Sequence, residues 1–274
     1  MLSLRLNHPV LAVVGYKASG KTTIIERLVP ELIKEGFTVA TIKHISHQDF
    51  SIDREGSDTW RHSRVGANPV IAFSNNEVSV IIKGANLPLE SISRLIPEFG
   101  ANLLILEGFS SIVLNDEDVG KIICVKSKKE YMEFKESAKG EVIAFCSFQN
   151  LGEPVLNIDR EFKILVNKTL NFIMKRIRIL EILNSLAGLN CGKCGRKSCK
   201  ELAEEIYNGT ASPEECVVLK VKSKLGTKII VEGREVPIQP FVSELVRKTV
   251  LGMISSLKKV YIKGNEKVYI KISK

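Results

Sequence analysis

Residues 15–22 of this 274-residue chain read Gly-Tyr-Lys-Ala-Ser-Gly-Lys-Thr, and this stretch decides the fold. It matches the phosphate-loop pattern G-x-x-x-x-G-K-[ST] without a mismatch. Gly15 and Gly20 permit a tight turn that points successive backbone N–H groups at phosphate oxygens. Lys21 is expected to reach the terminal phosphates, and the Thr22 hydroxyl is expected to coordinate Mg²⁺.

The segments on either side of this loop predict a strand and a helix. Val10–Val14 is a short apolar run typical of a buried parallel strand. From Thr23 to Lys34 apolar residues recur at helical spacing, and Gly36 is a typical helix stop. This order predicts a nucleotide-binding loop. Its predicted binding residues are Gly15, Tyr16, Lys17, Ala18, Ser19, Gly20, Lys21, Thr22 and Thr23.

The remainder of the first part alternates between strand and helix patterns. Strands are predicted at 38–43, 69–73, 78–82, 103–106, 121–125 and 141–145, and helices at 89–99 and 159–186. This alternation predicts an α/β fold, a P-loop NTPase three-layer domain with a mostly parallel sheet. Glu107 follows the most apolar strand, where such sites carry a carboxylate that holds the metal shell or orients water. We therefore predict Lys21 and Glu107 as catalytic residues, and Thr22 and Glu107 as Mg²⁺ ligands.

A long polar loop, residues 43–62, follows the second predicted strand and holds three of the four histidines and the only Trp. Loops at the C-terminal ends of parallel strands are where open α/β sheets bind ligands. The residues of interest are Lys43, His44, His47, Asp53, Arg61 and Arg64. Phosphate or substrate contacts by the basic residues, a metal site of two histidines with Asp53, and a merely solvated loop are all open interpretations.

Six cysteines fall into two groups. Cys124 and Cys146 lie in apolar strands and are expected to be small core residues. The other four have the spacing C-x2-C-x4-C-x16-C and are Cys191, Cys194, Cys199 and Cys216. Three close thiolates and one remote thiolate suit a [4Fe–4S] cluster, and the two interleaved glycines let backbone amides approach its sulfides. Structural zinc is the alternative, and disulfides are disfavoured in a cytosolic chain.

The excess positive charge lies in the last part of the chain. Residues 217–274 contain 13 Lys and Arg against 4 Asp and Glu, which accounts for the whole net charge of +9. Strands at 217–221, 228–231 and 234–238, a helix at 240–257 and a hairpin at 260–263 and 268–272 predict a small basic α+β domain. The charge can attract an anionic partner or only keep a sheet surface soluble. Nucleic acid is disfavoured because few aromatic residues are present for stacking.

These patterns divide the chain into four segments. A P-loop nucleotide-binding domain at 1–172, a helical linker at 173–189, a cluster-binding segment at 190–217 and the basic domain at 218–274 are predicted. No apolar run is long enough to cross a bilayer, and the N-terminus lacks the layout of a signal peptide. We expect a cytoplasmic protein that does not contact a membrane.

The motifs of residues 9–172 resemble those of the molybdopterin-guanine dinucleotide biosynthesis protein B family (MobB type). The resemblance rests on the phosphate loop, residues 42–47, 53, 56–62 and 65–67, and Glu107-Gly108-Phe109. It implies binding of GTP and Mg²⁺, at most slow NTPase (GTPase) activity, a homodimer, and an accessory role to the guanylyltransferase that acts on molybdopterin. It also implies a second ligand region for molybdopterin or the molybdenum cofactor, formed by Lys43, His44, His47, Asp53 and Asp58. Ser57 departs from the Lys that is usual before this last Asp.

The segment Cys191–Cys216 looks like the [4Fe–4S] module of electron-transport subunits and of corrinoid iron–sulfur proteins. The two resemblances imply a GTP-binding accessory protein whose cluster senses redox state, transfers electrons or docks a molybdo- or tungstoenzyme acceptor. An ATP-dependent iron–sulfur electron-delivery protein and a non-hydrolysing, nucleotide-responsive pterin carrier or adaptor are the alternatives. The motifs do not choose GTP over ATP, because Asn167-Lys168-Thr169-Leu170 begins like the guanine-reading N-K-x-D but lacks its Asp.

Overall fold

The computed structural model describes residues 8–47, 50–84, 87–222, 227–231, 234–236 and 238–257, together with Val268. The chain divides into two compact units, Met1–Arg176 and Ile177–Lys274. The finer division into four segments stays a prediction.

A six-stranded sheet forms the centre of the first unit. Its strands are β1 (Val10–Gly15), β2 (Val39–Lys43), β5 (Leu103–Glu107), β6 (Gly120–Cys124), β7 (Val142–Ser147) and β8 (Val155–Asn157). They stand in the order β2-β5-β1-β6-β7-β8, and each neighbouring pair is parallel. The predicted α/β class with a mostly parallel sheet is confirmed. Because β5, β1 and β2 are adjacent, the residues at their C-terminal ends lie at one edge of the sheet.

Helices connect these strands. They are α1 (Lys21–Lys34), α2 (Asp58–Arg64), α3 (Leu89–Arg94), α4 (Ser110–Val113), α5 (Lys128–Ser137) and α6 (Ile158–Ser185). The apolar stripe of α1 is buried through Ile24, Leu28 and Leu32, none of which has any exposed surface. Residues 11–14 of β1 are equally buried, as a strand with neighbours on both sides requires. The strand and the helix that hold the phosphate loop are therefore both anchored in the core.

Three details of this unit differ from the sequence prediction. The helix predicted at 89–99 is shorter, because α3 ends at Arg94 and Pro97–Phe99 forms a separate 3-10 turn. The polar loop does not stay irregular to residue 62, since Ser57 accepts a hydrogen bond from the Trp60 N–H and starts α2. The strands predicted at 69–73 and 78–82 do not join the main sheet but form a small antiparallel hairpin of their own, from β3 (Val70–Phe73) and β4 (Val78–Ile81).

The second unit begins with the last turns of α6. It continues with α7 (Cys199–Tyr207), a 3-10 turn (Pro213–Glu215), α8 (Val217–Lys222), β9 (Ile229–Val231), β10 (Arg234–Val236) and α9 (Pro240–Ser255). Its core packs Ile179, Leu186, Leu202, Ala203 and Val218 around the buried sulfurs of Cys199 and Cys216. The final hairpin predicted at 260–272 lies outside the described residues except for Val268.

The strand predicted at 217–221 is wrong, because these residues form helix α8. The β-branched composition favoured a strand, but such preferences depend on what the side chains pack against. Here Val218 is buried and Leu219 is partly buried against the core of the second unit. Among the helices in the described part of the chain, none combines the length and apolar character that a membrane span requires.

Candidate functional site

The loop between β1 and α1 has the backbone that phosphate binding requires. Gly15, Ala18 and Gly20 have positive φ angles of 148°, 57° and 87°. A Cβ added at Gly15 would lie 2.3 Å from the carbonyl oxygen of Cys124, and one added at Gly20 would lie 2.2 Å from the Phe148 ring. Both positions therefore exclude any larger residue.

The N-terminus of α1 points positive charge into this loop. In the described part of the chain no side chain caps this helix, and its first turn holds no acidic residue. Its N–H groups and the helix dipole thus favour an anion. Ser19 is 4% exposed, and its Oγ has no hydrogen-bond partner among the described residues. Such a buried donor fits a phosphate oxygen, because an unpaired buried hydroxyl is unfavourable.

The remaining loop side chains surround this cradle. Lys21 Nζ donates to the carbonyl oxygens of Gly15 at 3.0 Å and Tyr16 at 2.7 Å. Its ammonium group therefore lies over the loop itself. Lys17 and Thr23 are exposed at its two ends. The loop thus presents Ser19 inside and several exposed donors around its rim.

Thr22, Lys43 and Glu107 meet at the C-terminal edge of the sheet. Thr22 Oγ1 donates to Glu107 Oε1 at 2.7 Å, and Lys43 Nζ lies 2.9 Å from the same oxygen. Lys43 Nζ also donates to Thr22 Oγ1 at 3.3 Å. The Glu107 side chain is 12% exposed, so its carboxylate is partly withdrawn from water. The structure brings together the two residues predicted to hold Mg²⁺ and adds a cation that neutralises the carboxylate.

His44 makes two contacts beside this group, with its backbone at Glu107 and with its ring at Phe109. Its N–H donates to the Glu107 carbonyl at 2.9 Å, and its ring stands 5.0 Å from the Phe109 ring. Phe109 and Gly108 both have positive φ, and a Cβ on Gly108 would approach His44 at 3.3 Å. The turn after Glu107 therefore positions His44 at the edge of the site. His47 is exposed.

Asp53 organises the polar loop through hydrogen bonds to one of its carboxylate oxygens. Its Oδ1 accepts hydrogen bonds from Ser57 at 2.9 Å and Thr59 at 2.8 Å. Partial burial raises the pKa of Asp53, but these hydrogen bonds outweigh it and hold the pKa below its usual value. Asp58 is exposed and pairs with Arg61 at 3.5 Å. Ser57, the departure from the family pattern noted above, thus links Asp53 to the start of α2.

Sequence reasoning missed two side chains at the phosphate loop. Lys126 Nζ donates to the Lys17 carbonyl at 3.2 Å, and the Phe148 ring lies against Gly20. Lys126 follows β6 and Phe148 follows β7, which lie on the side of β1 opposite β5. Their positions at the ends of parallel strands were the signal that could have identified them. The N-K-x-D-like segment is not a loop after a strand. It lies inside α6, where the buried Thr169 hydroxyl donates to the Leu165 carbonyl.

The four clustered cysteines line one pocket in the second unit. Cys191 and Cys194 are half-buried at its rim, whereas Cys199 and Cys216 are 8% and 5% exposed. Gly192 and Gly195 have positive φ, and the Gly195 N–H donates to the Gly192 carbonyl in a tight turn. A set of four thiols is the donor set that iron–sulfur clusters use. Within the described residues no group of three or more His, Cys, Asp or Glu side chains is arranged to hold a single metal ion.

Comparison with known families matches both parts of the chain. Residues 10–148 match the model of the family described as "Molybdopterin guanine dinucleotide synthesis protein B". The chain belongs to this MobB family. Residues 186–218 match a second family, described as "Putative Fe-S cluster". The predicted family resemblance is confirmed, and the cysteine pocket lies within the second match.

Two relatives show how far the similarity extends. A protein of Methanocaldococcus jannaschii, named "Putative molybdopterin-guanine dinucleotide biosynthesis adapter protein", is 30% identical over 97% of this chain and 98% of its own length. A "Molybdopterin-guanine dinucleotide biosynthesis adapter protein" of Haemophilus influenzae is 39% identical over 37% of this chain and 57% of its own. A solved MobB structure from Bacillus subtilis, 22% identical, covers 60% of this chain and 98% of that chain with a TM-score of 0.47.

Proposed function

We propose that this chain is a GTP-binding accessory protein in the synthesis of molybdopterin guanine dinucleotide. The observation that carries the proposal is the meeting of Thr22, Lys43 and Glu107 beside a phosphate loop, in a member of the MobB family. The relative that matches nearly the whole chain is named as an adapter in the same synthesis. Neither alternative function, electron delivery driven by ATP or a pterin carrier, is favoured by these comparisons.

The phosphate loop would hold the nucleotide through the backbone N–H groups of residues 15–23 and the Ser19 hydroxyl. Lys21 would exchange its contacts with the loop carbonyls for the terminal phosphates. Mg²⁺ would be held by Thr22, with Glu107 in its coordination shell, and would supply charge neutralisation between phosphates. Glu107 already pairs with the Lys43 ammonium at 2.9 Å, and a carboxylate engaged with a cation suits a metal contact better than proton transfer. We therefore expect GTP hydrolysis to be slow at most, with Lys21 and Glu107 as its catalytic residues.

The polar loop would form the site of a second ligand. Lys43, His44, His47, Asp53 and Asp58 are the proposed residues, and the ligand is molybdopterin or the molybdenum or tungsten cofactor. Lys43 contacts Thr22 of the phosphate loop and His44 contacts Glu107, whereas Asp53 holds Ser57, the residue that starts α2 immediately before Asp58. The proposed partners are the guanylyltransferase and a molybdo- or tungstoenzyme that accepts the product.

The cysteine pocket would hold a [4Fe–4S] cluster through Cys191, Cys194, Cys199 and Cys216. The support is the four-thiol donor set in one pocket and the match to an iron–sulfur family. A bound cluster would supply one-electron chemistry. A cytoplasmic location is proposed with it, because a reducing compartment keeps such thiols available.

A homodimer is the proposed assembly, joined through the β3–β4 hairpin. Ile71 pairs with Val80 and Phe73 pairs with Val78, so the four apolar side chains share one face. Each is more than half exposed, and Phe73 reaches 82%. A second copy of this hairpin would bury the same face on both chains, as a two-fold interface does.

Titration of anaerobically purified protein tests the proposed function. GTP, ATP and molybdopterin would each be titrated calorimetrically with Mg²⁺, and phosphate release would be followed in parallel. We expect tighter binding of GTP than of ATP, measurable pterin binding and slow hydrolysis. ATP preferred over GTP with no pterin affinity would overturn the proposal and favour electron delivery. Iron, sulfide and zinc analysis of the same sample separates the cluster from structural zinc.

A further inference from the structure

One side chain, Arg196, joins three segments of the cysteine module. Its Nε and Nη2 donate to Glu205 Oε2 at 2.9 and 2.7 Å, and its Nη1 donates to the Cys194 carbonyl at 2.9 Å. Nη1 also lies 2.7 Å from Glu215 Oε2. We call these contacts of Arg196 with Cys194, Glu205 and Glu215 the Arg196 bridge.

Each partner in the Arg196 bridge is close to a thiol. The Cys194 carbonyl belongs to the C-x2-C loop itself, Glu205 lies on α7, which begins at Cys199, and Glu215 directly precedes Cys216. Arg196 also lines the pocket that all four cysteines line. A single guanidinium therefore ties together three chain segments that approach the pocket from different directions.

The Arg196 bridge has the properties of a strong local restraint. The Arg196 side chain is 18% exposed, and its hydrogen bonds with Glu205, followed by those with Glu215, raise its pKa. Hydrogen bonds between ionised groups are stronger than neutral ones, and a planar guanidinium fixes direction as well as distance. Lysine, with one point charge on a flexible stem, cannot make the same three contacts together.

A separate contact restrains the remaining segment. The Cys199 N–H donates to Asn190 Oδ1 at 2.8 Å, and Asn190 directly precedes Cys191. Asn190 has a positive φ of 44°, which turns the chain into the C-x2-C loop.

We propose that Arg196 is a positioning residue that holds the Cys194 loop, α7 and the turn before Cys216 in place, so that the four thiols face one pocket before a cluster is inserted. The purpose of this positioning rests on the cluster that is proposed above as part of the function. The ordering of the thiols can be measured without any cluster.

The first test measures thiol accessibility in the metal-free, reduced full-length chain. Each cysteine would be followed by timed alkylation with iodoacetamide and mass spectrometry in wild type, Arg196→Met and Arg196→Lys. In both variants we expect alkylation of Cys199 and Cys216 to accelerate by at least about tenfold, because local opening becomes more frequent. Lys197→Met, which changes an exposed neighbouring cation, is the matched control and should keep the wild-type rates. Unchanged rates in both Arg196 variants would overturn the proposal.

A second variant distinguishes the loss of one contact from unfolding of the whole cysteine module. Glu215→Gln removes the negative charge that faces Arg196 beside Cys216, keeps an oxygen that can accept from the Ser212 N–H, and leaves Glu205 on α7 paired with Arg196. We expect faster alkylation of Cys216 and an unchanged rate for Cys199. Cys124 and Cys146, buried in the first unit, report whether the rest of the chain stays folded. Equal acceleration of Cys199 and Cys216 in this variant would contradict a bridge with separate arms.

Reconstitution with iron and sulfide under anaerobic conditions tests the purpose of the Arg196 bridge. We expect Arg196→Met to take up less cluster and the clusters that form to have a lower reduction potential, since one positive charge beside two carboxylates is lost. Arg196→Lys should restore the potential in part but not the uptake. Full uptake with an unchanged potential in Arg196→Met would overturn the positioning role. A wild type that takes up zinc and no iron would instead overturn the cluster, while the alkylation result would still decide the Arg196 bridge.

Discussion

The Thr22 hydroxyl donates a 2.7 Å hydrogen bond to Oε1 of Glu107, a residue 85 positions further along the chain. The two meet because β1 and β5 are parallel neighbours, so the residues that follow or end these strands share one edge of the sheet. Lys43 reaches the same carboxylate from β2 on the other side of β5. The metal-binding half of the proposed nucleotide site is thus built from the ends of β2 and β5 and the first turn of α1.

Glu107→Gln should weaken nucleotide binding only when Mg²⁺ is present. The amide keeps the size of the side chain but removes the charge that pairs with Lys43 and would face the metal. We expect GTP affinity in Mg²⁺ to fall by about ten- to a hundredfold, the range for a lost charged hydrogen bond. Calorimetric titration with Mg²⁺ and with EDTA measures the difference. Glu136→Gln, on the exposed side of α5, should leave both affinities unchanged. Equal loss with and without Mg²⁺ would argue against a metal role.

Gly15→Ala should abolish nucleotide binding and destabilise the first unit. The added Cβ would lie 2.3 Å from the Cys124 carbonyl and 2.6 Å from Ser19 Oγ, so the loop backbone would have to move. We expect a loss of at least about 2 kcal/mol in unfolding free energy, typical of a steric conflict in the core.

Gly36→Ala is the matched comparison for that variant. Gly36 also has a positive φ, of 88°, but no atom lies within 4 Å of the added Cβ. It should lose only about 1 kcal/mol from backbone strain and keep full nucleotide affinity. Urea unfolding and GTP titration of both variants give the comparison, and equal effects of the two would refute the steric explanation.

The stability of the native chain should fall as the pH rises above about 9, because the Cys124 thiol is buried. Burial raises the pKa of this thiol from 9.0 to about 12, so the folded state keeps its proton where the unfolded state loses it. The contribution of the buried Cys124 thiol to the free energy of unfolding is therefore complete below pH 9. Above pH 9 it declines by about 1.4 kcal/mol per pH unit, until the folded pKa is reached. Urea unfolding of wild type and Cys124→Ala between pH 7.5 and 10.5 measures this. The stability advantage of wild type should shrink with pH, and a constant difference would contradict the buried, protonated thiol.

Phe73→Glu should convert the proposed homodimer into a monomer. A charge on the exposed hairpin face would have to be desolvated in the interface. Light scattering after gel filtration gives the mass of wild type and variant. Phe99→Glu changes another exposed ring, 75% accessible on the 3-10 turn, and should leave the dimer intact. A monomeric wild type, or a dimeric Phe73→Glu, would show that this face does not join two copies.

The sequence was most informative where function restricts both residue type and spacing. The glycines and Lys21 of the phosphate loop, and Glu107 after an apolar strand, could be placed from pattern alone because parallel sheets align strand ends. The long amphipathic helix α6 was equally readable from its period. The residues of the polar loop had no such geometric rule. Asp53 stays a predicted ligand, and its hydrogen bonds with Ser57 and Thr59, which no spacing in the sequence indicates, also give it a part in organising the loop.

The elements that could not be predicted depend on contacts that a local pattern does not contain. Residues 217–221 are rich in Val, and their sequence does not show that Val218 and Leu219 pack from a helix into the core that contains Leu202. Phe148 and Lys126 approach the phosphate loop from strands far along the chain, and neither belongs to a motif. In the sequence Arg196 is one cation in a basic run. Its role is not visible there, because its partners Glu205 and Glu215 lie 9 and 19 positions further along the chain.

The core of the second unit bears on how such a chain can arise by gene fusion. Ile179, Leu186 and Ala187, near the end of α6, pack with Leu202 and Val218 around the cysteine-bearing segments. A transferable piece of coding sequence that began at Cys191 would leave behind three of the eight buried residues of this core. A segment that keeps the core intact would therefore include the codons from Ile179 onward, and with them the last turns of α6.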